Sequence, residues 1–172
     1  MSLTLGPNDN LVLIGMPWSG KSTIGVLVSK ALARPFLDTD IVIQSEEGCL
    51  LQDIVDTGGP VALRETEERH VLALNCSGHV VATGGSVVYS APAMGHLKEQ
   101  GVCLYLEYPL ATLAARATQL ETRGLVRFPG QTLAELYEER TPLYERYADG
   151  AIPCQGLRHE QVVVAVLAAI DG

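Results

Sequence analysis

The chain has 172 residues, of which 47% are hydrophobic and 19% charged, and its formal net charge is −8. This composition opposes intrinsic disorder, the length suits a single domain over residues 1–172, and no apolar run reaches the roughly 20 residues of a membrane span. The excess of acidic residues repels polyanions, so we expect neither nucleic acid nor a membrane surface as a partner.

The first residues carry no targeting signal. Met1 to Asn10 lack a basic region followed by an apolar stretch and a small-residue cleavage site. The four cysteines form no CxxC pair, and the four histidines add no metal-ligand spacing. We therefore expect a cytoplasmic monomer without a cysteine- or histidine-based metal site.

The predicted elements alternate between strands and helices. Leu11 to Met16 is a wholly apolar run before a Gly/Pro-rich turn, which predicts a strand buried on both faces. Apolar residues then recur at helical spacing from Lys21 to Ala33, and this helix ends before Pro35. Further strands are predicted at 36–38, 79–83 and 102–106, and further helices near 60–75, 109–120, 132–147 and 159–170. This alternation predicts an α/β fold with helices on both faces of a parallel sheet.

A phosphate-binding motif lies between the first strand and the first helix. It fits GxxxxGK followed by Ser or Thr, and it consists of Gly15, Met16, Pro17, Trp18, Ser19, Gly20, Lys21 and Ser22. In such a loop the backbone N–H groups wrap the phosphates, Lys21 reaches the β- and γ-oxygens, and Ser22 offers its hydroxyl to Mg²⁺. The strand before the motif and the helix after it favour ATP binding over a chance Gly-rich turn.

Two carboxylates follow the second predicted strand, in the run Asp38-Thr39-Asp40. Open α/β sheets bind ligands at the carboxyl ends of their strands, and residues two apart in an extended chain point the same way. One carboxylate could hold Mg²⁺ through water while the other orients or deprotonates an acceptor hydroxyl. The alternative is that Asp38 caps the next helix.

The next predicted helix contains a pair of oppositely charged residues. Arg64 and Glu67 are three residues apart and can meet on one helical face, and Glu67 falls on the apolar stripe of that helix. Because a buried carboxylate usually needs a cationic partner, Glu67 could hold Arg64 in place for an anionic substrate. The alternative is an exposed helical ion pair.

Two polar segments follow further along the chain. Thr83-Gly84-Gly85-Ser86 comes after an apolar run, so its backbone N–H groups could bind a ligand, or the glycines could simply turn the chain. The stretch 121–130 lies between two helices and is typical either of a mobile lid or of a surface loop. Arg116, Arg123 and Arg127 bracket this stretch and could close over ATP, or could be solvated surface residues.

An arginine occupies a position where an apolar residue is expected in the helix predicted from Thr132. The apolar stripe runs from Leu133 to Tyr147, and Arg140 lies within it. An arginine that faces inward either extends past its neighbours to solvent or points into a cleft that holds an anion.

In order and spacing, these motifs resemble those of shikimate kinases, and the resemblance covers almost the whole chain. The matching features are GxxxxGKS, Asp-Thr-Asp, Arg-x-x-Glu, Thr-Gly-Gly, a lid arginine, and an arginine before a Tyr-containing segment. The resemblance implies a three-layer α/β/α P-loop kinase fold with a five-stranded parallel sheet and a mobile lid at about 121–130. It also implies phosphorylation of a small hydroxy acid, the 3-hydroxyl of shikimate, with ATP and Mg²⁺ as cofactors.

The resemblance implies roles for individual residues. It assigns ATP binding to Gly15, Ser19, Gly20, Lys21, Ser22, Thr23, Arg116 and Arg123. It assigns Mg²⁺ to Ser22 and Asp38. It assigns the acceptor to Asp40, Arg64, Gly84, Gly85 and Arg140, with both arginines addressing the carboxylate. The implied catalytic residues are Lys21, Asp40 and Arg123.

The chain departs from the family pattern around the acceptor and in the lid. Ser86 stands where the family usually has a third glycine, and Val55 and Leu63 stand where aromatic residues commonly line the pocket. Gly59-Pro60 replaces a common Gly-Glu, and the lid reads Arg123-Gly124-Leu125-Val126 where Arg-Pro-Leu-Leu is usual. Two alternatives to shikimate therefore stay open: another hydroxy acid or polyol resembling gluconate or homoserine, and a nucleotide-binding protein without kinase activity.

Overall fold

The computed structural model describes residues 3–117 and 129–170. Within these ranges five parallel strands form one sheet in the order β2-β3-β1-β4-β5. The strands are β1 (Asn10–Ile14), β2 (Phe36–Asp38), β3 (Val80–Ala82), β4 (Gly101–Glu107) and β5 (Gly150–Pro153). The helices are α1 (Lys21–Leu32), α2 (Thr39–Glu47), α3 (Leu51–Ala73), α4 (Ala91–Glu99), α5 (Leu110–Ala117), α6 (Leu133–Tyr147) and α7 (His159–Ile170), with a 3₁₀ turn at Val87–Tyr89.

The strand order fixes which helices cover which face of the sheet. The chain moves one way across the sheet from β1 to β2 and the opposite way in every later crossover. Because such crossovers are right-handed, α1 lies on one face, while the helices between β2 and β5 lie on the other. The pairs that pack together agree with this, since α1 contacts α7 and α3 contacts α4. The predicted α/β/α fold with its five-stranded sheet is therefore confirmed.

β1 is the central strand, and this explains its wholly apolar run. All five of its residues are buried, and it pairs with β3 on one side and with β4 on the other. Asn10, at its start, is the polar exception. Its amide donates to the Cys76 carbonyl at 2.8 Å and accepts from the His79 N–H at 2.9 Å, which ties β1 to the segment before β3.

Three elements were not predicted from the sequence pattern, and a fourth begins earlier than predicted. α2, α4 and β5 are short and lack a clear period. The helix predicted near Pro60 begins at Leu51, because two helical segments join across Gly59, whose φ of 78° suits only glycine. Pro60 opens the second segment, where its missing N–H costs little. No helix in the described ranges is long and apolar enough to cross a membrane.

Two glycines that differ in the space around them test the packing of the sheet. A Cβ on Gly101, at the start of β4, would overlap the backbone of Asn10 in β1. Gly101→Ala should therefore push the paired strands apart and lower the free energy of unfolding by about 3 kcal/mol. A Cβ on Gly95, in α4, would enter open space, so Gly95→Ala should raise the free energy of unfolding by about 0.5–1 kcal/mol. Urea unfolding measures both changes, and a wild-type midpoint for Gly101→Ala would contradict the register of β1 with β4.

Candidate active site

The loop between β1 and α1 curls around a buried ammonium group. Lys21 is 7% exposed, and its Nζ donates to the carbonyl oxygens of Gly15 at 2.7 Å and Met16 at 2.8 Å. A third contact joins Nζ to the Ser19 hydroxyl at 3.3 Å. The loop ends in a left-handed Gly20 that caps α1, so the amino end of this helix faces the loop. This is the arrangement that binds phosphate groups.

A cavity of about 420 Å³ opens beside this loop. Its walls come from the loop, from the residues after β2 and β3, and from α2, α3 and α6. The lining residues are Pro17, Trp18, Gly20, Lys21, Ser22, Thr23, Asp38, Asp40, Ile41, Gln44, Leu50, Leu51, Gln52, Leu63, Glu67, Thr83, Gly84, Gly85, Ser86 and Arg140. The structure thus brings together residues from five of the predicted motifs.

Asp38 and Asp40 both line the cavity, but the expected geometry was wrong. The chain is not extended through Asp40, because α2 begins at Thr39. Asp38 caps this helix, and its Oδ1 accepts from the Asp40 N–H at 2.9 Å. The capping alternative is therefore confirmed, and it coexists with a position in the cavity. The tight turn between strand and helix brings the two carboxylates to one end of the cavity.

Glu67 enters the cavity from α3 and is bound by a serine. It is 4% exposed, so an exposed ion pair at this position is excluded. Ser86 Oγ donates a hydrogen bond to Glu67 Oε2. A Cβ on Gly84 would overlap Glu67 Oε1 and would lie 2.8 Å from Asp40 Oδ1. Glu67 and Asp40 are therefore neighbours, and a side chain at position 84 has no room.

Burial shifts the pKa of two cavity residues in opposite directions. The pKa of Glu67 is raised to about 7. Loss of solvent is the largest cause and the nearby Asp40 acts in the same direction, while Ser86, Arg140 and Lys21 oppose the rise. Loss of solvent also lowers the pKa of Lys21 to about 8, while Asp40 and Asp38 oppose the fall. A bound phosphate would add negative charge beside Lys21 and raise its pKa again.

Arg140 reaches the cavity from α6 and is held by aromatic side chains. It is 1% exposed and lines the cavity, so the cleft interpretation is confirmed over extension to solvent. Its Nε donates to the Tyr89 hydroxyl at 3.1 Å. One turn further along α6, the Tyr144 hydroxyl donates to the Gly85 carbonyl at 2.6 Å. The α6 helix thus fixes both Arg140 and the glycine loop after β3.

The structure does not place Arg64 in the cavity wall. Among the described residues its guanidinium stacks over the Tyr89 ring at 3.6 Å and approaches Glu139 at 4.0 Å. Because Arg140 also lies over this ring, at 5.0 Å, Tyr89 joins the two arginines. No sequence signal indicated Tyr89, since it lies in a 3₁₀ turn with no periodic pattern.

The remaining predicted site residues either lie in or beside the phosphate loop or fall outside the described ranges. Arg116 donates to the Trp18 carbonyl at 3.0 Å and stacks over Tyr108 at 4.3 Å, beside the phosphate loop. Gly15 and Ser19 shape that loop from beneath and do not line the cavity. Arg123, Arg127 and most of the predicted lid lie outside the described residues.

The apolar side chains that line the cavity differ from those expected from the sequence. Leu63 lines the cavity, but Val55 lies in the first segment of α3 and does not. Ile41, Leu50 and Leu51 form this wall. Ile41 was missed because α2 was not predicted, and Leu50 and Leu51 were missed because α3 begins earlier than predicted. Gln44 and Gln52 add amide groups to the same wall. The bend at Gly59 separates Val55 from Leu63 and explains the difference.

Ser22 and Asp38 fit a magnesium ion held largely by a nucleotide. No cluster of three or more acidic, histidine or cysteine side chains suited to a metal exists in the described part of the chain. A hydroxyl and one carboxylate are nevertheless the usual protein contribution to Mg²⁺ when phosphates and water supply the other ligands. Both residues line the cavity beside Lys21.

Comparison with known proteins gives one consistent result. A family model described as shikimate kinase matches residues 17–171. The shikimate kinase of Rhizobium meliloti (strain 1021) is 36% identical over 170 residues, which cover 97% of this chain and 88% of the relative. That of Paracidovorax citrulli (strain AAC00-1) is 36% identical over 148 residues, covering 83% and 81%. The structure of shikimate kinase from Acinetobacter baumannii in complex with shikimate aligns with a TM-score of 0.83 at 28% identity, covering 93% of this chain and 91% of that chain.

The raised pKa of Glu67 predicts a dependence of stability on pH. With a pKa of about 7 in the folded protein against an ordinary 4.5, the folded state keeps a proton that the unfolded state releases between these values. This contribution to the free energy of unfolding should fall as pH rises from about 4.5 to about 7, by on the order of 3 kcal/mol at 1.36 kcal/mol per pKa unit, and stay constant above.

Glu67→Gln should remove this slope, and Glu68→Gln, on the neighbouring position of α3, should keep it. Urea unfolding at pH 5, 6, 7 and 8 measures the difference between each variant and the wild type. Parallel stability profiles for the wild type and Glu67→Gln would contradict the assignment of the slope to Glu67.

Proposed function

Because the chain belongs to the shikimate kinase family, we propose that it transfers the γ-phosphate of ATP to the 3-hydroxyl of shikimate. The acceptor oxygen forms a bond to the γ-phosphorus, the bond from that phosphorus to the β–γ bridging oxygen breaks, and ADP leaves. The single observation that carries the proposal is the convergence of Lys21, Asp40 and Arg140 in one cavity. Together they supply a cation for phosphate, a carboxylate for a hydroxyl and a guanidinium for an acceptor carboxylate.

ATP binds at the phosphate loop in this proposal. The loop N–H groups and the amino end of α1 surround the phosphates, with Ser19, Gly20 and Thr23 in or next to the loop. Lys21 turns from the loop carbonyls to the β- and γ-oxygens, and its contacts with the γ-phosphate replace its hydrogen bonds to those carbonyls. Arg116, which donates to the Trp18 carbonyl in the loop, would contact the adenine through its guanidinium.

Ser22 and Asp38 would hold the magnesium ion that accompanies ATP. The ion neutralises charge that develops on the transferring phosphoryl group. Asp38 keeps one oxygen on the Asp40 N–H as the cap of α2. The same residue therefore positions the backbone of the proposed catalytic carboxylate.

The acceptor occupies the end of the cavity formed by α2, α3 and α6. Asp40 orients the 3-hydroxyl and accepts its proton, and the Gly84 and Gly85 backbone surrounds the acceptor closely because neither carries a side chain. Arg140 binds the acceptor carboxylate. Arg64 joins it through Tyr89, whose ring lies beneath both guanidinium groups.

Arg123, from the lid at about 121–130, completes the proposed catalytic set by closing onto the phosphates. The proposed working form is a monomer. A kinase of this kind needs a compartment that holds ATP, and we propose the cytoplasm.

An acceptor panel tests the proposed reaction. A coupled assay of ADP release with shikimate, gluconate, homoserine and no acceptor should give the highest kcat/KM with shikimate. A shikimate analogue that lacks the carboxylate should lose most of kcat/KM, because the buried Arg140 would lose the anion that it is proposed to bind. Faster turnover of gluconate or of the carboxylate-free analogue would overturn the acceptor, and ADP release that needs no acceptor would overturn the transfer reaction.

Asp40→Asn tests the proposed base. The amide keeps the size of the side chain but cannot accept the proton, so kcat should fall by about 10²- to 10⁴-fold while the KM for ATP changes little. Asp56→Asn is the matched control, since Asp56 is an exposed carboxylate on α3 outside the cavity. A loss of ATP affinity with kcat preserved would assign Asp40 to the nucleotide instead.

A further inference from the structure

A serine and a glutamate share one buried corner of the cavity. Ser86 and Glu67 are each 4% exposed, both line the cavity, and Ser86 Oγ donates to Glu67 Oε2. The second carboxylate oxygen, Oε1, lies against Gly84, on the same side as Asp40 Oδ1. One oxygen of Glu67 is therefore held by Ser86, while the other is next to the carboxylate that receives the reacting hydroxyl.

We propose that Ser86 is a positioning residue that fixes Glu67 as a hydrogen-bond acceptor for the hydroxyl adjacent to the one phosphorylated. This inference rests on the proposed function and deepens it, because it assigns the 4-hydroxyl of shikimate to Glu67 and the placement of Glu67 to Ser86. Asp40 takes the reacting hydroxyl, and Glu67 Oε1 takes its neighbour, one carbon away.

Electrostatics at this corner favour two hydroxyl donors. The charged groups that act on Glu67 are Asp40 from α2, Lys21 from α1 and Arg140 from α6. Two neighbouring carboxylates repel each other when both are ionised, and a buried carboxylate that lacks donors is costly. A vicinal diol supplies one further donor to each carboxylate, which a lone hydroxyl cannot do.

The structure contains a second serine–glutamate pair that serves as a comparison. Ser90 Oγ donates to Glu68 Oε2 at 2.5 Å, again joining the segment after β3 to α3. Neither Ser90 nor Glu68 lines the cavity. A bond of this type at 90 and 68 contributes to packing alone, so the neighbouring pair separates a structural effect from an effect on the acceptor.

The test compares shikimate with its 4-deoxy analogue, which keeps the reacting hydroxyl but lacks the adjacent one. The wild type should favour shikimate by about 10- to 100-fold in kcat/KM, as expected for a hydrogen bond to a charged group. Ser86→Ala and Glu67→Gln should reduce this preference to within a few-fold, mainly through a higher KM for shikimate, with the KM for ATP unchanged. Ser86→Thr, which keeps the hydroxyl, should retain the preference, and so should Glu68→Gln.

A 5-deoxy analogue provides the control for the substrate, because its missing hydroxyl is not adjacent to the reacting one. The loss of kcat/KM on replacing shikimate by this analogue should be the same in the wild type, Ser86→Ala and Glu67→Gln. An unchanged 4-deoxy penalty in both Ser86→Ala and Glu67→Gln would overturn the inference, and so would an equal loss of the preference in Glu68→Gln. If Ser86→Ala fails to fold, Glu67→Gln and Ser86→Thr decide alone. Failure of the proposed function has a separate signature, since the wild type would then not turn over shikimate.

Discussion

The site depends on the parallel alignment of three adjacent strands. β2, β3 and β1 lie side by side, and all three end at the same edge of the sheet. The phosphate loop follows β1, Asp38 and Asp40 follow β2, and the Thr83–Ser86 segment follows β3. Three segments far apart in sequence therefore meet, because a parallel sheet places the carboxyl ends of its strands together.

This constraint explains how much of the site the sequence could predict. The phosphate loop, Asp40 and Gly84 each lie at the carboxyl end of a predicted strand, so their convergence follows from the fold. Arg140 stood out in the sequence because it lies within an apolar stripe, and the structure shows that it is buried. Ser86 as the partner of Glu67 was not predictable, because their contact depends on how α3 packs over the segment after β3. Ile41 was missed because the Asp38 cap, which starts α2, was treated as part of an extended chain.

In the cavity, buried side chains of opposite charge lie next to one another in a low-dielectric environment. Lys21 and Arg140 are both almost fully buried, and Asp38 and Glu67 are buried around them. Each ion would be costly alone, and each lies near groups of opposite sign. Backbone carbonyls accept hydrogen bonds from Lys21, and the Tyr89 hydroxyl accepts one from Arg140. The Tyr89 contact orients Arg140 within the cavity, which reduces the reorganisation needed when an anion binds there.

The cap on α2 has a consequence for how the two ligands influence each other. The Asp38 carboxylate accepts a hydrogen bond from the Asp40 N–H, so it belongs both to the proposed nucleotide end of the cavity and to the helix that carries the proposed acceptor end. A metal–nucleotide complex that orders Asp38 would also order the first turn of α2. Occupancy of one end should therefore lower the entropic cost of filling the other, and thermodynamic linkage requires this synergy to be reciprocal. One carboxylate in a tight strand-to-helix turn is thus enough to couple the two halves of the site energetically.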